Sequence, residues 1–109
     1  MRKLKTTFSE RVLECALVIP FGKVTTYGRI AKASGGGGLA SRSVTGILGR
    51  VRTEDALHIP FHRIVYADGT VFIADEYKEK RGKLYKKEGI ELTQNGKIKD
   101  FHEKLFEFI

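Results

Sequence analysis

Cysteine is nearly absent from this 109-residue chain, and the single one, Cys15, has no partner for an internal disulfide. Three scattered histidines beside it make no zinc framework. Long apolar runs are missing too. The longest, Ala16 to Phe21, falls far short of the roughly 20 residues that cross a bilayer, and no signal-peptide pattern opens the chain. These absences predict a protein of the reducing cytoplasm with no membrane partner. Carboxylates are lacking over a long stretch: none occurs from Cys15 through Thr53, where Lys23, Arg29, Lys32, Arg42, Arg50 and Arg52 all fall.

What is present suits one compact domain spanning 1–109, with 41% hydrophobic and 30% charged residues. The formal charge of +7 is one-sided. Residues 1–52 hold ten basic and two acidic side chains, whereas 53–109 hold ten and eleven. A positive field of this kind attracts polyanions, nucleic acid above all. A solvated basic face explains the charge equally well at this point.

Thr7 and Glu10 have capping-box spacing, and Phe8, Val12, Leu13, Ala16 and Leu17 then recur at helical intervals. This predicts a first helix that stops near Ile19, ahead of Pro20. Thr25 or Thr26 is placed to cap a short second helix through Tyr27, Ile30 and Ala31, ending at Ser34-Gly35. Gly35 to Gly38 read as a connector with little conformational restraint. A third helix is expected from Leu39–Ala40, burying Val44, Ile47, Leu48 and Val51 and exposing Ala40, Ser41, Arg42, Thr45, Gly49 and Arg52. Gly46 and Gly49 each cost that helix about 1 kcal/mol, so close packing or close approach to DNA should favour them.

After Pro60, the runs His62–Tyr66 and Thr70–Ile73 around Ala67-Asp68-Gly69 read as a β-hairpin. The expected fold is therefore mainly α with a small β-hairpin wing, a winged helix-turn-helix DNA-binding domain. A further helix is expected over about Tyr77 to Lys87. A second hairpin should join Ile90–Leu92 to Lys97–Lys99 through Asn95-Gly96, and Asp100 should cap a terminal helix packed through Phe101, Leu105 and Phe108. Residues 93–109 form a C-terminal extension in this reading.

Several strings then combine in order and spacing: Ile19-Pro20-Phe21-Gly22-Lys23-Val24-Thr25-Thr26-Tyr27-Gly28, Ala40-Ser41-Arg42-Ser43-Val44, Pro60-Phe61-His62-Arg63-Ile64-Val65 and Glu88-Gly89. Over roughly residues 8–92 the chain resembles the DNA-binding domain of the alkylguanine-DNA alkyltransferases. In those enzymes a Pro-Cys-His-Arg cysteine takes the alkyl group from guanine O6. Here that position is Phe61, whose ring has no lone pair or ionisable proton with which to act as a nucleophile. Cys15 lies on the first helix, a small thiol expected among Val12, Leu13 and Ile19. A short chain with an aromatic residue at the acceptor position is similar to the alkyltransferase-like proteins, which bind alkylated guanine without repairing it. Those usually carry Trp there. No catalytic residue, cofactor or metal is expected.

The resemblance implies that the protein binds duplex DNA as a monomer, flips O6-alkylguanine and flags it for nucleotide excision repair proteins. Unstacking costs a few kcal/mol. Arg42 matches the family's arginine finger, which fills the vacated space and reaches the orphaned cytosine. Tyr27 matches the tyrosine at the flipped nucleotide's phosphate. Thr26, Ala40, Ser41 and Lys32 complete the implied DNA contacts. Phe61, Tyr27, Pro60 and Phe72 are the implied lesion pocket. His62, Arg63 and Glu88 match the relay that activates the missing thiol, and without it they are expected to be structural. A buried Glu88 needs a partner, and His62 and Arg63 are the obvious ones. His58 and His102 are read as surface or interface residues.

Two departures bear on the pocket. The family's Asn ahead of the Pro-Cys-His-Arg motif has no counterpart in residues 49–60. The loop that is glycine-rich in the family reads Val71-Phe72-Ile73-Ala74-Asp75-Glu76-Tyr77 here. Bulky and acidic side chains there should narrow the pocket, change which adducts fit or repel DNA. A winged-helix DNA-binding or regulatory protein that has lost the lesion pocket is the alternative. An enzyme with another nucleophile is disfavoured, because no Ser or Cys stands beside His62.

Overall fold

The computed structural model of the chain describes residues 7–36, 40–71 and 78–108. Helix α1, Phe8–Leu17, opens on a full capping box: the Glu10 N–H donates to Thr7 Oγ1 at 3.0 Å, and the Thr7 N–H donates to Glu10 Oε1 at 2.9 Å. It stops at Val18, two residues before Pro20. Strand β1, Thr25–Thr26, leads directly into α2, Tyr27–Ala33, whose cap is Thr26 accepting from the Arg29 N–H. Helix α3, Ser41–Gly49, buries Val44 and Leu48 and packs Ile47 and Val51 against the same core. Together α1, α2 and α3 enclose Val12, Ala16, Ile19, Ile30, Val44 and Leu48, the larger of two hydrophobic clusters. Cys15 packs against this cluster, half-buried, and accepts from the Ser34 hydroxyl at 3.6 Å.

Gly36 is no loose connector. A Cβ there would lie 2.5 Å from Ala40 Cβ and 2.9 Å from the Phe8 ring, and its N–H donates to Ala31 O at 2.8 Å. The close approach requires glycine and fixes how the chain leaves α2. Leu39 and the expected start of α3 before Ala40 lie outside the described residues.

The expected hairpin is paired differently. His62 and Arg63 belong to a single 3-10 turn, Phe61–Arg63, and only then does β2, Ile64–Val65, begin. It runs parallel to β1 in the register Thr25↔Ile64 and Thr26↔Val65. The Tyr66 N–H closes the wing's turn on Thr70 O at 3.0 Å, but Thr70 and Val71 then pair with Gly96 and Lys97. Adjacent runs of alternating residues signal a hairpin locally. The longer-range alternatives, each hydrogen-bonded through backbone alone, leave no such pattern in the sequence. A short helix α4, Thr53–Ala56, was also not foreseen.

Helix α5, Lys78–Lys87, turns its buried Tyr85 towards the second cluster, with Val24, Val65, Ile90 and Ile98. The second hairpin forms as expected, with a Leu92↔Ile98 bridge and Gly96 at φ 76°. Helix α6, Phe101–Lys104, follows Asp100, but that residue sits at φ 55° and makes no side-chain cap bond. From α6 the chain returns to β1: the Val24 N–H donates to Lys104 O at 2.9 Å and the Phe106 N–H to Val24 O at 2.7 Å. Mostly helical, with a two-stranded sheet and a wing after the helix-turn-helix, this is a winged-helix architecture. Among the described residues no helix is long and apolar enough to cross a membrane.

Candidate nucleic-acid interface

Glu88 lies at the C-terminal end of α5 with its side chain 3% exposed. Four donor groups converge on it in five bonds. Arg63 Nε donates to Oε1 at 3.0 Å and Oε2 at 3.2 Å, Arg63 Nη2 to Oε2 at 2.9 Å, His62 Nε2 approaches Oε2 at 2.5 Å, and the Gly22 N–H donates to Oε1 at 2.8 Å. Burial alone would raise the Glu88 pKa. The bonds from Arg63, Gly22 and His62 outweigh it and hold the carboxyl down to about 2. An ionised carboxylate only accepts, so His62 Nε2 carries the proton.

The Gly22 donor is delivered by a turn. The Lys23 N–H closes on Pro20 O at 3.1 Å, and Gly22 takes φ 83°, the left-handed region that glycine enters without strain. Arg63 Nη1 adds a bond to Ile19 O at 2.8 Å, so the network also ties the end of α1 to the turn before β2. Tyr85 donates its hydroxyl to His62 O at 2.5 Å, and burial pushes its pKa up to about 12. His62, Arg63 and Glu88 thus meet as expected, in a closed polar knot.

Phe61 stands beside the knot, 37% exposed. A cavity of about 570 Å³ opens against it, lined also by Leu17, Leu57, Pro60 and His62 and by Lys80 and Arg81 of α5. Of the expected pocket residues, Phe61 and Pro60 line this space. Tyr27 does not. It begins α2, half-buried, with its ring 5.7 Å from Tyr66. Burial and Tyr66 raise its hydroxyl pKa against the opposing pull of Arg81, a residue that lines the cavity. Phe72 lies outside the described residues.

On the neighbouring face, Ser41 and Arg42 begin α3, and Arg42 is exposed with no bonded partner among the described residues. Gly49 looks onto open space: a Cβ there would meet nothing within 4 Å. Packing within the chain therefore does not explain that glycine. Lys32 is exposed in the last turn of α2. Thr26 is buried, and its hydroxyl is committed to capping α2. Two cations of the carboxylate-free stretch are also engaged. Arg29 pairs with Glu107 at 3.0 Å, and Lys23 Nζ donates to Glu103 O at 2.9 Å.

One basic surface was missed. Helix α5 carries six Lys and Arg against one Glu, and only Lys83 pairs with that Glu79, at 3.6 Å. Counting charge over chain halves hid it, because the acidic residues around α5 cancel the sum. A ten-residue window would have found it.

The family model of the 6-O-methylguanine DNA methyltransferase DNA-binding domain matches residues 7–90, and the chain belongs to that family. It is 34% identical to the DNA base-flipping protein of Escherichia coli over 84% of this chain and 69% of that one. Alkyltransferase-like protein 1 of Schizosaccharomyces pombe is 35% identical over 80% of each chain. The S. pombe protein in complex with damaged DNA containing O6-carboxymethylguanine superposes with a TM-score of 0.72 at 28% identity, over 99% of this chain and 100% of that one. Mycobacterium tuberculosis OGT in complex with DNA gives 0.60 at 31% identity over 77% of this chain and 50% of that one. Within the family this is an alkyltransferase-like chain and not an alkyltransferase: Phe61 occupies the acceptor position.

Proposed function

We propose that this protein is a non-enzymatic sensor of O6-alkylguanine in duplex DNA, which extrudes the damaged nucleotide and holds it without transferring the alkyl group. The observation that carries the reading is Phe61, a ring without a nucleophile, beside a knot in which His62 and Arg63 both bond the Glu88 carboxylate. The family's machinery is kept here as architecture. Its relay has nothing left to activate.

Extrusion needs something to fill the gap and something to hold the phosphate. Arg42 is free to enter the stack from the start of α3, where Ala40, Ser41 and Gly49 offer little bulk to keep the helix from a groove floor. Tyr27 faces the flipped nucleotide's phosphate, and Thr26 contributes by capping the helix that Tyr27 begins. Lys32 takes a phosphate. The base lodges against Phe61 and Pro60, with Phe72 as the remaining wall. The protein acts as a cytoplasmic monomer, a single domain over 1–109 in which 93–109 extends the family's core, and its DNA complex is the signal handed to nucleotide excision repair.

The test is a pair of binding isotherms on duplexes that differ by one O6-methyl group, followed by mass measurement of protein and DNA. Tighter binding to the methylated duplex with the methyl still on DNA supports the reading. Equal affinity for both duplexes would favour a winged helix without a lesion pocket, and a methylated Cys15 would mean repair.

A further inference from the structure

Resting on that reading for the register of the DNA, we infer that the exposed lysine row of α5, Lys80, Lys83 and Lys87, is a second DNA contact. It grips the phosphate backbone of the same duplex, to one side of the lesion. The helix has two distinct faces. Arg81, Leu84, Tyr85 and Glu88, spaced i, i+3, i+4 and i+7, turn towards the body; Tyr85 and Glu88 are buried, Arg81 and Leu84 half-buried. Tyr85 bonds His62 O at 2.5 Å and Glu88 is tied to Arg63, so the helix is held firmly. The other face is exposed and carries the row, with Lys86 beside it.

Folding gains little from that row. Lys80, Lys86 and Lys87 have no ion-pair partner among the described residues, and Lys83 meets only Glu79, at 3.6 Å with both side chains exposed. Lys83 stands three residues from Lys80 and Lys86 and four from Lys87, spacings at which like charges destabilise a helix. Lys78 and Lys80 occupy the first turn, where the helix dipole favours anions. Only Lys86 and Lys87, in the last turn, stand where the dipole favours cations. Charge that the helix itself opposes is explained by an anion outside the molecule.

The chemistry of the face selects nucleic acid. It presents no apolar side chain, whereas protein interfaces are anchored by aromatic groups and are poor in lysine. A membrane surface would need the apolar face, which here is turned into the body. From Lys80 to Lys87 the row runs about 10 Å at roughly 1.5 Å per residue. That is about three phosphate steps along one strand. The same duplex is within reach. Arg81 acts electrostatically on the Tyr27 hydroxyl, so the first turns of α5 lie near the start of α2. The molecule is 44 Å long, which corresponds to about 13 base pairs.

The experiment uses three duplexes, each with one O6-methylguanine: one of about 26 base pairs, roughly twice the molecule's length, with the lesion central, and two trimmed to about half a helical turn on the 5′ or the 3′ side. Trimming one of the two sides should weaken wild-type binding about three- to tenfold, the scale of two exposed ion pairs. It should also flatten the slope of log affinity against log salt by about 1.8, two phosphate contacts. The double variant Lys83→Gln/Lys87→Gln should show both losses on the long duplex already, and bind the long duplex and the one trimmed on that side equally. Its preference for methylated over plain DNA should match that of the wild type. If variant and wild type respond alike to trimming on both sides, α5 does not hold the flank and the inference falls while lesion recognition stands. A second duplex that titrates onto the complex and is lost in the variant would overturn it too, by placing other DNA on α5. If the wild type binds methylated and plain duplexes equally, the reading beneath the inference falls and takes the register, and the inference, with it.

Discussion

Glu88 and Arg42 are both charged, both matched to the family's working parts, and held in opposite ways. Glu88 is buried, and every hydrogen bond it can accept comes from this chain: Arg63, His62 and the Gly22 N–H. Arg42 is exposed on α3 and bonds to nothing described. A buried carboxylate with one partner removed is costly, so Glu88 is answerable to folding. An exposed arginine without a described partner contributes little to folding, so replacing it should leave stability almost unchanged. On the proposed reading, the Glu88 knot serves the fold while the exposed face of α3 is left for DNA.

That contrast is sharpest in stability. Glu88→Ala leaves Arg63 and His62 buried without their anion and should cost about 3–5 kcal/mol in chemical denaturation. A loss under 1 kcal/mol would show that the knot is slack. Acid should probe the same group next. Glu88 is held at about 2 in the folded chain against 4.5 for an ordinary glutamate. Its stabilisation is therefore full above pH 4.5 and drains away as pH falls towards 2. The amount at neutral pH is about 3 kcal/mol by linkage. Denaturation midpoints measured from pH 7 to pH 2 should fall in that window for the wild type and much less for Glu88→Gln.

The comparison shows how much the sequence could say. The knot was legible because a glutamate in a buried setting must find cations, and His62 and Arg63 were the ones available. The capping box of α1, the Thr26 cap and the stripe of α3 were legible for the same kind of reason: each is local. Pairing of β1 with β2, and of Val24 with the returning C-terminal segment, was not. These contacts join residues 39 and 81 positions apart through backbone groups that every residue owns. The engagement of Lys23 and Arg29 by residues 103 and 107 was hidden likewise, so charge counting overstated the cations free for DNA.

Phe61→Cys asks whether the two regions still work together. It restores a thiol beside His62 and Glu88, yet the relay is now locked by five bonds and the loop after Val71 departs from the family. Methyl transfer to residue 61, followed by mass, should be slow at most. Rapid stoichiometric transfer would show that the knot kept its catalytic geometry. Smaller still are the effects on salt dependence. Lys32→Ala should flatten the slope of log affinity against log salt by about 0.9, the loss of one phosphate contact. Arg29→Ala should flatten it less, since Glu107 already occupies that guanidinium. Equal changes from the two variants would mean that DNA displaces the Glu107 pair.

Unstacking is the direct reporter of Arg42. A 2-aminopurine placed next to O6-methylguanine brightens when its neighbour leaves the stack, so its titration with wild type, Arg42→Ala and Lys32→Ala separates a finger from a phosphate contact. The wild type should brighten it, and Lys32→Ala should reach the same plateau at higher concentration. Arg42→Ala should lose both the plateau and the preference for the methylated duplex, while unfolding within about 0.5 kcal/mol of the wild type. If Arg42→Ala keeps the full signal and the full preference, Arg42 is not the residue that opens the stack, and the exposed face of α3 only holds the backbone.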